Sequence, residues 1–138
     1  MILPISSGMS AIHVPRRRTG PLGRANSSTA MPVSYTHLLI KKKTGVQPTL
    51  INPYYITGVD TDLLESLKAE HDVVITLEDG VLDGGFGEKI ARFYGDSDMK
   101  VLNFGLKKEF LDRYDVDEVL KDNHLTAEQI AEDVEKVL

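Results

Sequence analysis

Three short apolar runs punctuate the chain from residue 45 onward and predict strands. They are "PTLIN" (48–52), "DVVITLE" (72–78) and "MKVLNFG" (99–105). The middle run is continuous and rich in β-branched residues, without the alternation of a half-exposed strand, which is typical of a strand covered on both faces. We therefore expect 72–78 to lie inside a parallel sheet.

Helical patterns alternate with these runs. The predicted helices extend from near Asp60 to His71, from Phe86 to Gly95, over "DVDEVLKDN" (115–123), and from Thr126 onward, where Thr126 and Gln129 have the spacing of a capping box. The segment 106–114 fits either a helix or a loop. This alternation predicts an α/β fold of three layers, with a mostly parallel sheet, flanking helices and right-handed connections.

Apolar residues at three- and four-residue spacing define one face of each main helix. The residues expected to be buried are Leu63, Leu64 and Leu67 in the first helix, Phe86, Ile90 and Phe93 in the second, and Ile130, Val134 and Val137 in the last.

Residues 1–38 contain repeated prolines and glycines among serines, which interrupt any helical or strand period. We expect this leader to be disordered or non-native, and residues 39–138 to form a partial domain. The arginines, the serines and the lack of acids fit an organellar transit peptide, but no clear amphipathic helix accompanies them. Because the run "MPVSYTHL" (31–38) looks like adapter-derived sequence, we favour a non-native origin over targeting.

Charge is distributed unevenly along the chain. Residues 1–58 hold seven bases and no acid, whereas residues 59–138 hold nine bases and all 21 acids. This break indicates two segments of different origin or physical state, and it argues against a nucleic-acid surface on the folded part. The chain has no cysteine, which excludes disulfides, thiolate metal sites and cysteine nucleophiles. Since no apolar run is long enough to cross a bilayer, we expect a cytoplasmic protein without membrane or nucleic-acid partners.

The stretch "LEDGVLDGGFGEKIARFY" (77–94) places a glycine-rich turn between a strand and a helix. Such a turn can aim free backbone N–H groups at a phosphate. However, Gly84, Gly85 and Gly87 do not have the spacing of a dinucleotide fingerprint, and no phosphate-binding lysine follows them. We interpret these glycines as residues that permit close backbone packing and positive φ angles.

Acidic residues flank the same turn. Glu78, Asp79 and Asp83 could supply clustered oxygens to Mg²⁺ or Ca²⁺, and with Glu88 they would repel a phosphate. Acids ahead of a helix usually interact with the helix dipole or cap its first turn, and we favour this interpretation.

Other candidate residues are scattered. His71 and His124 have no partner at metal-ligand or acid–base spacing, so we interpret them as exposed or helix-end residues. For the adjacent Tyr54 and Tyr55 we predict packing for one and a partner interface for the other. The lysine triplet 41–43 could bind polyanions, and we interpret it as solvated charge at the exposed end of a helix.

Residues 45–138 resemble the C-terminal domain of the transketolase superfamily, and within it the 1-deoxy-D-xylulose-5-phosphate synthases. The most specific parts are "VVITLEDG" (73–80) ahead of "GGFG" (84–87) and the strand that ends in "FGL" (104–106). The resemblance implies that the glycine turn is chiefly structural. The family commonly has Asn-x-Arg-Phe followed by Lys-Pro-Leu-Asp, where this chain has "NPYYITGVD" (52–60). This departure weakens the substrate assignment and leaves the fold assignment intact.

The resemblance also implies what is missing. The family's domain opens with a strand and a helix, of which only "LLIKKKTG" (38–45) resembles the end of the helix. Thiamine diphosphate and Mg²⁺ in this family lie between two preceding domains, held by a G-D-G motif and a downstream Asn that this sequence lacks. We therefore expect no catalytic, cofactor-binding or metal-binding residue in this chain.

Three hypotheses follow. The first is a C-terminal fragment, inactive alone, of an enzyme that condenses pyruvate with glyceraldehyde 3-phosphate, with loss of CO₂, for isoprenoid and thiamine precursor synthesis. Its partners would be the other domains of the parent enzyme or a homodimer partner. The second is a non-catalytic docking or dimerisation module for transketolase-like subunits. The third is a small nucleotide-binding α/β protein, which the missing phosphate-loop motif argues against.

Overall fold

A computed structural model describes residues 10–15, 33–53, 55–109 and 114–138. Their helices and strands, in chain order, are β1 (Ser10–Pro15), α1 (Val33–Thr44), β2 (Thr49–Ile51), α2 (Thr61–Leu67), β3 (His71–Val81), α3 (Phe86–Tyr94), β4 (Lys100–Leu106), α4 (Val116–Asp122) and α5 (Ala127–Val137). Among these residues, none of the helices is both long enough and apolar enough to pass through a bilayer.

The described strands form one sheet in the order β2-β1-β3-β4. β3 and β4 are parallel, with a register that runs from the pair Val73 and Lys100 to the pair Leu77 and Phe104. β1 is antiparallel to both of its neighbours. β2, β3 and β4 therefore share one direction, which confirms the predicted α/β fold with a mostly parallel sheet, and β1 alone runs against them.

β1 lies inside the leader that we predicted to be disordered or non-native. It is hydrogen-bonded along both edges, so the expectation of disorder is wrong for 10–15. The physical reason is tertiary, because two flanking strands satisfy the backbone N–H and C=O groups of a short segment whatever its local pattern. Residues 1–9 and 16–32 lie outside the described part, and the origin of the leader stays a prediction.

A helix also precedes β2. α1 begins at Val33, although only its last residues were predicted, so most of a helix that we expected to be missing is present. α1 is held by Ile40, which is fully buried against the sheet and α5. The lysines 41–43 form its exposed last turn, which confirms the interpretation of this triplet as an exposed helix end.

The sheet separates two apolar clusters. On one face α1 and α5 pack over β3 and β4, and the buried residues are Ile40, Val73, Ile75, Leu77, Phe104, Ile130, Ala131 and Val134. On the other face α2 and α3 pack over β3, and the buried residues are Leu64, Leu67, Val74, Phe86, Ile90 and Tyr94. β3 sends side chains into both clusters, which confirms the prediction of a strand covered on both faces and of three layers.

The helix starts follow the polar residues found in the sequence. At α5 the Thr126 hydroxyl accepts the N–H of Gln129 at 3.3 Å, as predicted. The Gln129 side chain does not complete the capping box, since it accepts the Thr126 hydroxyl and donates to the Lys121 carbonyl. α4 is capped by Asp115 and has no buried residue. Within the ambiguous segment 106–114, residues 110–113 lie outside the described part.

Candidate functional site

After the glycine turn that follows β3, a carboxylate of the chain itself caps the start of α3. Gly85 stands at the N-cap of α3 and has no side chain to accept the first helical N–H groups. The buried Glu78 takes this role, because its Oε2 accepts the Phe86 N–H at 3.0 Å and its Oε1 accepts the Gly87 N–H at 2.6 Å. A carboxylate at this position also interacts favourably with the helix dipole. The anion bound at this helix N-terminus is thus an internal one.

Two of the glycines allow the start of α3 to lie close to Glu78 and the strands beneath it. A Cβ on Gly87 would lie 2.6 Å from Thr76 Oγ1 and 2.7 Å from both Asn103 Cγ and Glu78 Oε1. A Cβ on Gly85 would also overlap the Glu78 carboxyl group. Gly84 has a φ of 75°, in the left-handed region that favours glycine. This geometry supports the structural interpretation of the glycines over a phosphate site.

A polar pair lies beneath Gly87. The buried Thr76 hydroxyl donates to Asn103 Oδ1 at 2.7 Å, and the two residues are direct partners in the pairing of β3 with β4. With Glu78 they form a polar layer on which α3 rests. Since buried polar groups are costly without partners, this layer favours one position of α3 over the sheet.

The acids considered for a cation site differ in burial. Glu78 is buried under α3, whereas Asp79 and Asp83 are exposed. Within the described ranges, no group of three or more His, Cys, Asp or Glu side chains could hold a metal ion.

The two histidines differ in burial and in their partners. His124 is exposed and pairs with Asp133 at 3.2 Å, in agreement with the prediction. His71 begins β3 and is buried, so its interpretation as an exposed or helix-end residue is wrong. Its Nδ1 lies 3.1 Å from the Leu67 carbonyl and its Nε2 lies 3.0 Å from the Thr49 hydroxyl. Because a carbonyl only accepts, Nδ1 donates and the imidazole ties β2 to the end of α2.

One residue that the apolar spacing missed is Tyr94. Phe93 was expected in the core, but Tyr94 is the nearly fully buried aromatic of α3, and Phe93 is only partly buried. The Tyr94 hydroxyl donates to the Leu64 carbonyl at 2.8 Å. Burial raises the pKa of Tyr94 to about 12, and the nearby Glu65 carboxylate acts in the same direction.

An apolar groove of about 530 Å³ opens on the same side of the sheet. It lies where β2 ends and where α2 and α3 begin, and its apolar lining includes Ile51, Pro53, Tyr55, Val59, Leu63 and Phe86. We refer to it as the β2–α2–α3 groove. The position at the carboxyl end of a strand is common for binding sites in α/β folds.

One side chain at the groove is more exposed than its spacing predicted. Leu63 was expected in the core and is 38% exposed, whereas Leu64 and Leu67 are buried. Tyr55 is 75% exposed, and Tyr54 lies outside the described residues, so the prediction of packing for one and an interface for the other stays a prediction.

The chain is similar to known proteins over most of its length. Residues 27–130 match the family model of the transketolase C-terminal domain. The 1-deoxy-D-xylulose-5-phosphate synthase of Clostridium tetani is 34% identical over 99 residues, which cover 70% of this chain and 16% of that protein. The synthases of Gloeothece citriformis and Shouchella clausii are 36% and 34% identical over 67% and 75% of this chain. The chain thus spans about one sixth of the length of the curated relatives it matches.

Proposed function

Because the chain belongs to the transketolase C-terminal domain family, we propose that it serves as the C-terminal part of a 1-deoxy-D-xylulose-5-phosphate synthase. The observation that carries this proposal is the identity of 34–36% to three proteins of that name over at least two thirds of this chain. The family model matches residues 27–130, which contain β3, the glycine turn, α3 and β4 and therefore the whole buried polar layer.

The parent enzyme would join pyruvate to glyceraldehyde 3-phosphate with release of CO₂. Thiamine diphosphate, with Mg²⁺, would supply the stabilised carbanion chemistry that this condensation requires. The described residues of this chain do not fit either group. The first N–H groups of α3 are engaged by Glu78, which is buried, whereas Asp79 and Asp83 are exposed. The chemistry is therefore assigned to polypeptide other than the described residues.

What this chain contributes is a folded unit with a defined surface. Its buried polar layer and the apolar cluster under α2 and α3 hold these two helices in place, and the β2–α2–α3 groove lies where they begin. We assign it a structural role in the parent enzyme, with no residue acting on the substrate.

A chimera tests this assignment. The C-terminal segment of the Clostridium tetani synthase would be replaced by this chain, and CO₂ release from pyruvate and glyceraldehyde 3-phosphate would be measured beside the intact and the truncated enzyme. We expect the chimera to retain activity that the truncated enzyme loses. A chimera that folds, by circular dichroism, yet is as inactive as the truncated enzyme would overturn the assignment.

The isolated chain provides a second test. We expect no turnover of pyruvate when thiamine diphosphate and Mg²⁺ are added, since no described residue is placed to use them. Turnover without any other protein would overturn the assignment of a non-catalytic part. Added nucleotides are expected to leave the thermal midpoint unchanged, and a clear shift would favour a nucleotide-binding protein.

A free-standing docking module for separate transketolase-like subunits is the second candidate. The exposed apolar side chains at the groove favour it, because they provide a surface for another polypeptide. Gel filtration separates the two candidates. A sharp dimer peak favours a module that pairs with itself, whereas a monomer or aggregates favour a part of a longer enzyme whose surface other domains cover.

A further inference from the structure

We propose that the β2–α2–α3 groove is the surface through which this chain docks onto the catalytic portion of its parent synthase, and that an apolar segment of that portion fills it. This inference rests on the proposed function. It goes further by naming one face of the domain and the chemistry of its partner.

The shape and the lining of the groove fit an apolar polypeptide. Its six named lining residues are all apolar or aromatic, and they come from three separate elements and the segment that joins β2 to α2. Tyr55 projects from the rim with 75% of its surface exposed, and Ile56 beside it is 47% exposed. Exposed aromatic and aliphatic side chains around a concave apolar surface are the usual anchors of protein interfaces.

The charged groups Asp60 and Lys89 at the groove are hydrogen-bonded to the backbone of the chain itself. Asp60 is the charged residue among those that line the groove, and its carboxylate already accepts the Leu63 N–H at 3.0 Å. The nearby Lys89 ammonium donates to the carbonyls of Ile56 and Thr57 at 2.8 and 3.4 Å. Both charges thus have backbone partners of the chain itself, and most of the side chains that line the groove are apolar.

The same lysine contacts hold one edge of the groove in place before a partner binds. Lys89 lies on α3, and by binding two carbonyls of the segment before α2 it fixes that segment against the helix. A rim held in this way loses little conformational freedom when a partner binds.

The length of the matched relatives indicates what covers the groove. The aligned stretch makes up only 14–17% of each synthase, so more than four fifths of each relative lies outside it. A domain that is a small part of a longer chain must present a face to the remainder. In the described part of this domain, the β2–α2–α3 groove is where exposed apolar side chains border a concave surface.

Leu63→Glu is the variant that tests the proposal. Leu63 is the third residue of α2, after the N-cap Asp60, and a glutamate at this position is favourable for a helix start. The substitution therefore places a charge at the groove with little cost to the fold. Val116→Glu is the matched control, because Val116 is 58% exposed on α4 and does not line the groove.

Binding would be measured by biolayer interferometry between the full chain and the Clostridium tetani synthase truncated before its C-terminal domain. We expect Leu63→Glu to weaken binding by about ten-fold or more, since an unpaired charge is costly in an apolar interface, and Val116→Glu to change it by less than about two-fold. Unchanged binding of Leu63→Glu would overturn the docking surface and leave the proposed function intact. If the wild-type chain does not bind while the chimera above is active, the docking surface is likewise overturned.

A measurement on the isolated chain covers the case in which the truncated synthase does not fold. The dye ANS becomes fluorescent on exposed apolar surface, and we expect Leu63→Glu to lower the signal while Val116→Glu leaves it unchanged. Equal signals from all three proteins would show that the groove is closed in solution and would overturn the proposal. A wild-type dimer that Leu63→Glu converts to a monomer in sedimentation would assign the groove to a second copy instead, and would also overturn it.

Discussion

The two faces of the sheet are held by different interactions. Under α1 and α5 the buried residues are almost all aliphatic, and the ion pair that joins these helices, Lys43 with Glu132, is exposed. Under α2 and α3 the apolar cluster is accompanied by buried hydrogen bonds in which Glu78 accepts and His71 and Tyr94 donate. The first face is closed by apolar burial, whereas the second is positioned by directional bonds and remains open at the groove.

The two faces therefore stabilise the fold in different ways. Aliphatic burial is strong and tolerates small shifts, while buried hydrogen bonds specify one arrangement and are costly to leave unmade. The face that carries the proposed docking surface is the one whose helices are held most specifically. The predictions below test whether the two faces respond differently to matched changes.

Ile40→Ala should have the largest effect. Ile40 is fully buried between α1, α5 and the sheet, and its truncation should lower the free energy of unfolding by about 3 kcal/mol. Urea unfolding followed by circular dichroism measures this change. Leu38→Ala on the same helix is the control, since Leu38 is 54% exposed and should lose less than about 1 kcal/mol. Equal losses would mean that α1 does not close this face.

Gly87→Ala should be the next most damaging. The added methyl group would meet Thr76, Asn103 and Glu78 at less than 3 Å, so α3 must move away from the polar layer. We expect a loss of about 2 to 3 kcal/mol in the free energy of unfolding. The control is Gly80→Ala, because no atom lies within 4 Å of a Cβ there. A Gly87→Ala protein as stable as wild type would refute the close approach of α3.

Tyr94 should make the second face sensitive to alkali. Its folded-state pKa is raised to about 12 from 10.0, so the associated stability is fully present below pH 10 and is lost as the pH rises from 10 to 12. A shift of this size corresponds to between about 2 and 3 kcal/mol. Urea unfolding at several pH values measures it, and Tyr94→Phe should be less stable at pH 8 and lose this part of the pH dependence. An unchanged pH profile in Tyr94→Phe would contradict the assignment.

Lys43→Ala should have the smallest effect. The Lys43 ammonium lies 3.2 Å from Glu132, but both side chains are well exposed, and exposed pairs contribute about 0.5 kcal/mol or less. Thermal unfolding at low and high salt measures this contribution. A larger loss would show that the first face depends on charge as well as on apolar burial.

Much of the fold could be predicted because its signals are local. The continuous apolar run at 72–78 indicated a strand buried on both faces, and β3 contributes to both clusters. Thr126 marked the start of α5, since a capping residue and the apolar spacing after it lie within a few positions. The glycines at 84–87 were interpreted as packing residues for the same reason, and the geometry around Gly87 supports that interpretation.

The remaining features depend on neighbours that the local pattern does not reveal. β1 was missed because its order comes from two flanking strands. Leu63 was expected to be buried because spacing identifies an apolar face but not how much of it the domain itself covers. His71 was interpreted as exposed, although Thr49, far away in sequence, lies beside its ring.

The sequence by itself determined the α/β alternation, the boundaries of most helices and the need for glycine after β3, because propensity, capping and steric limits act over a few residues. Only the tertiary structure decided that β1 enters the sheet against the direction of its neighbours, that Glu78 rather than a ligand occupies the start of α3, and that a groove stays open beside β2. Those features depend on which distant residues come into contact, and such contacts are selected by the packing of the whole chain.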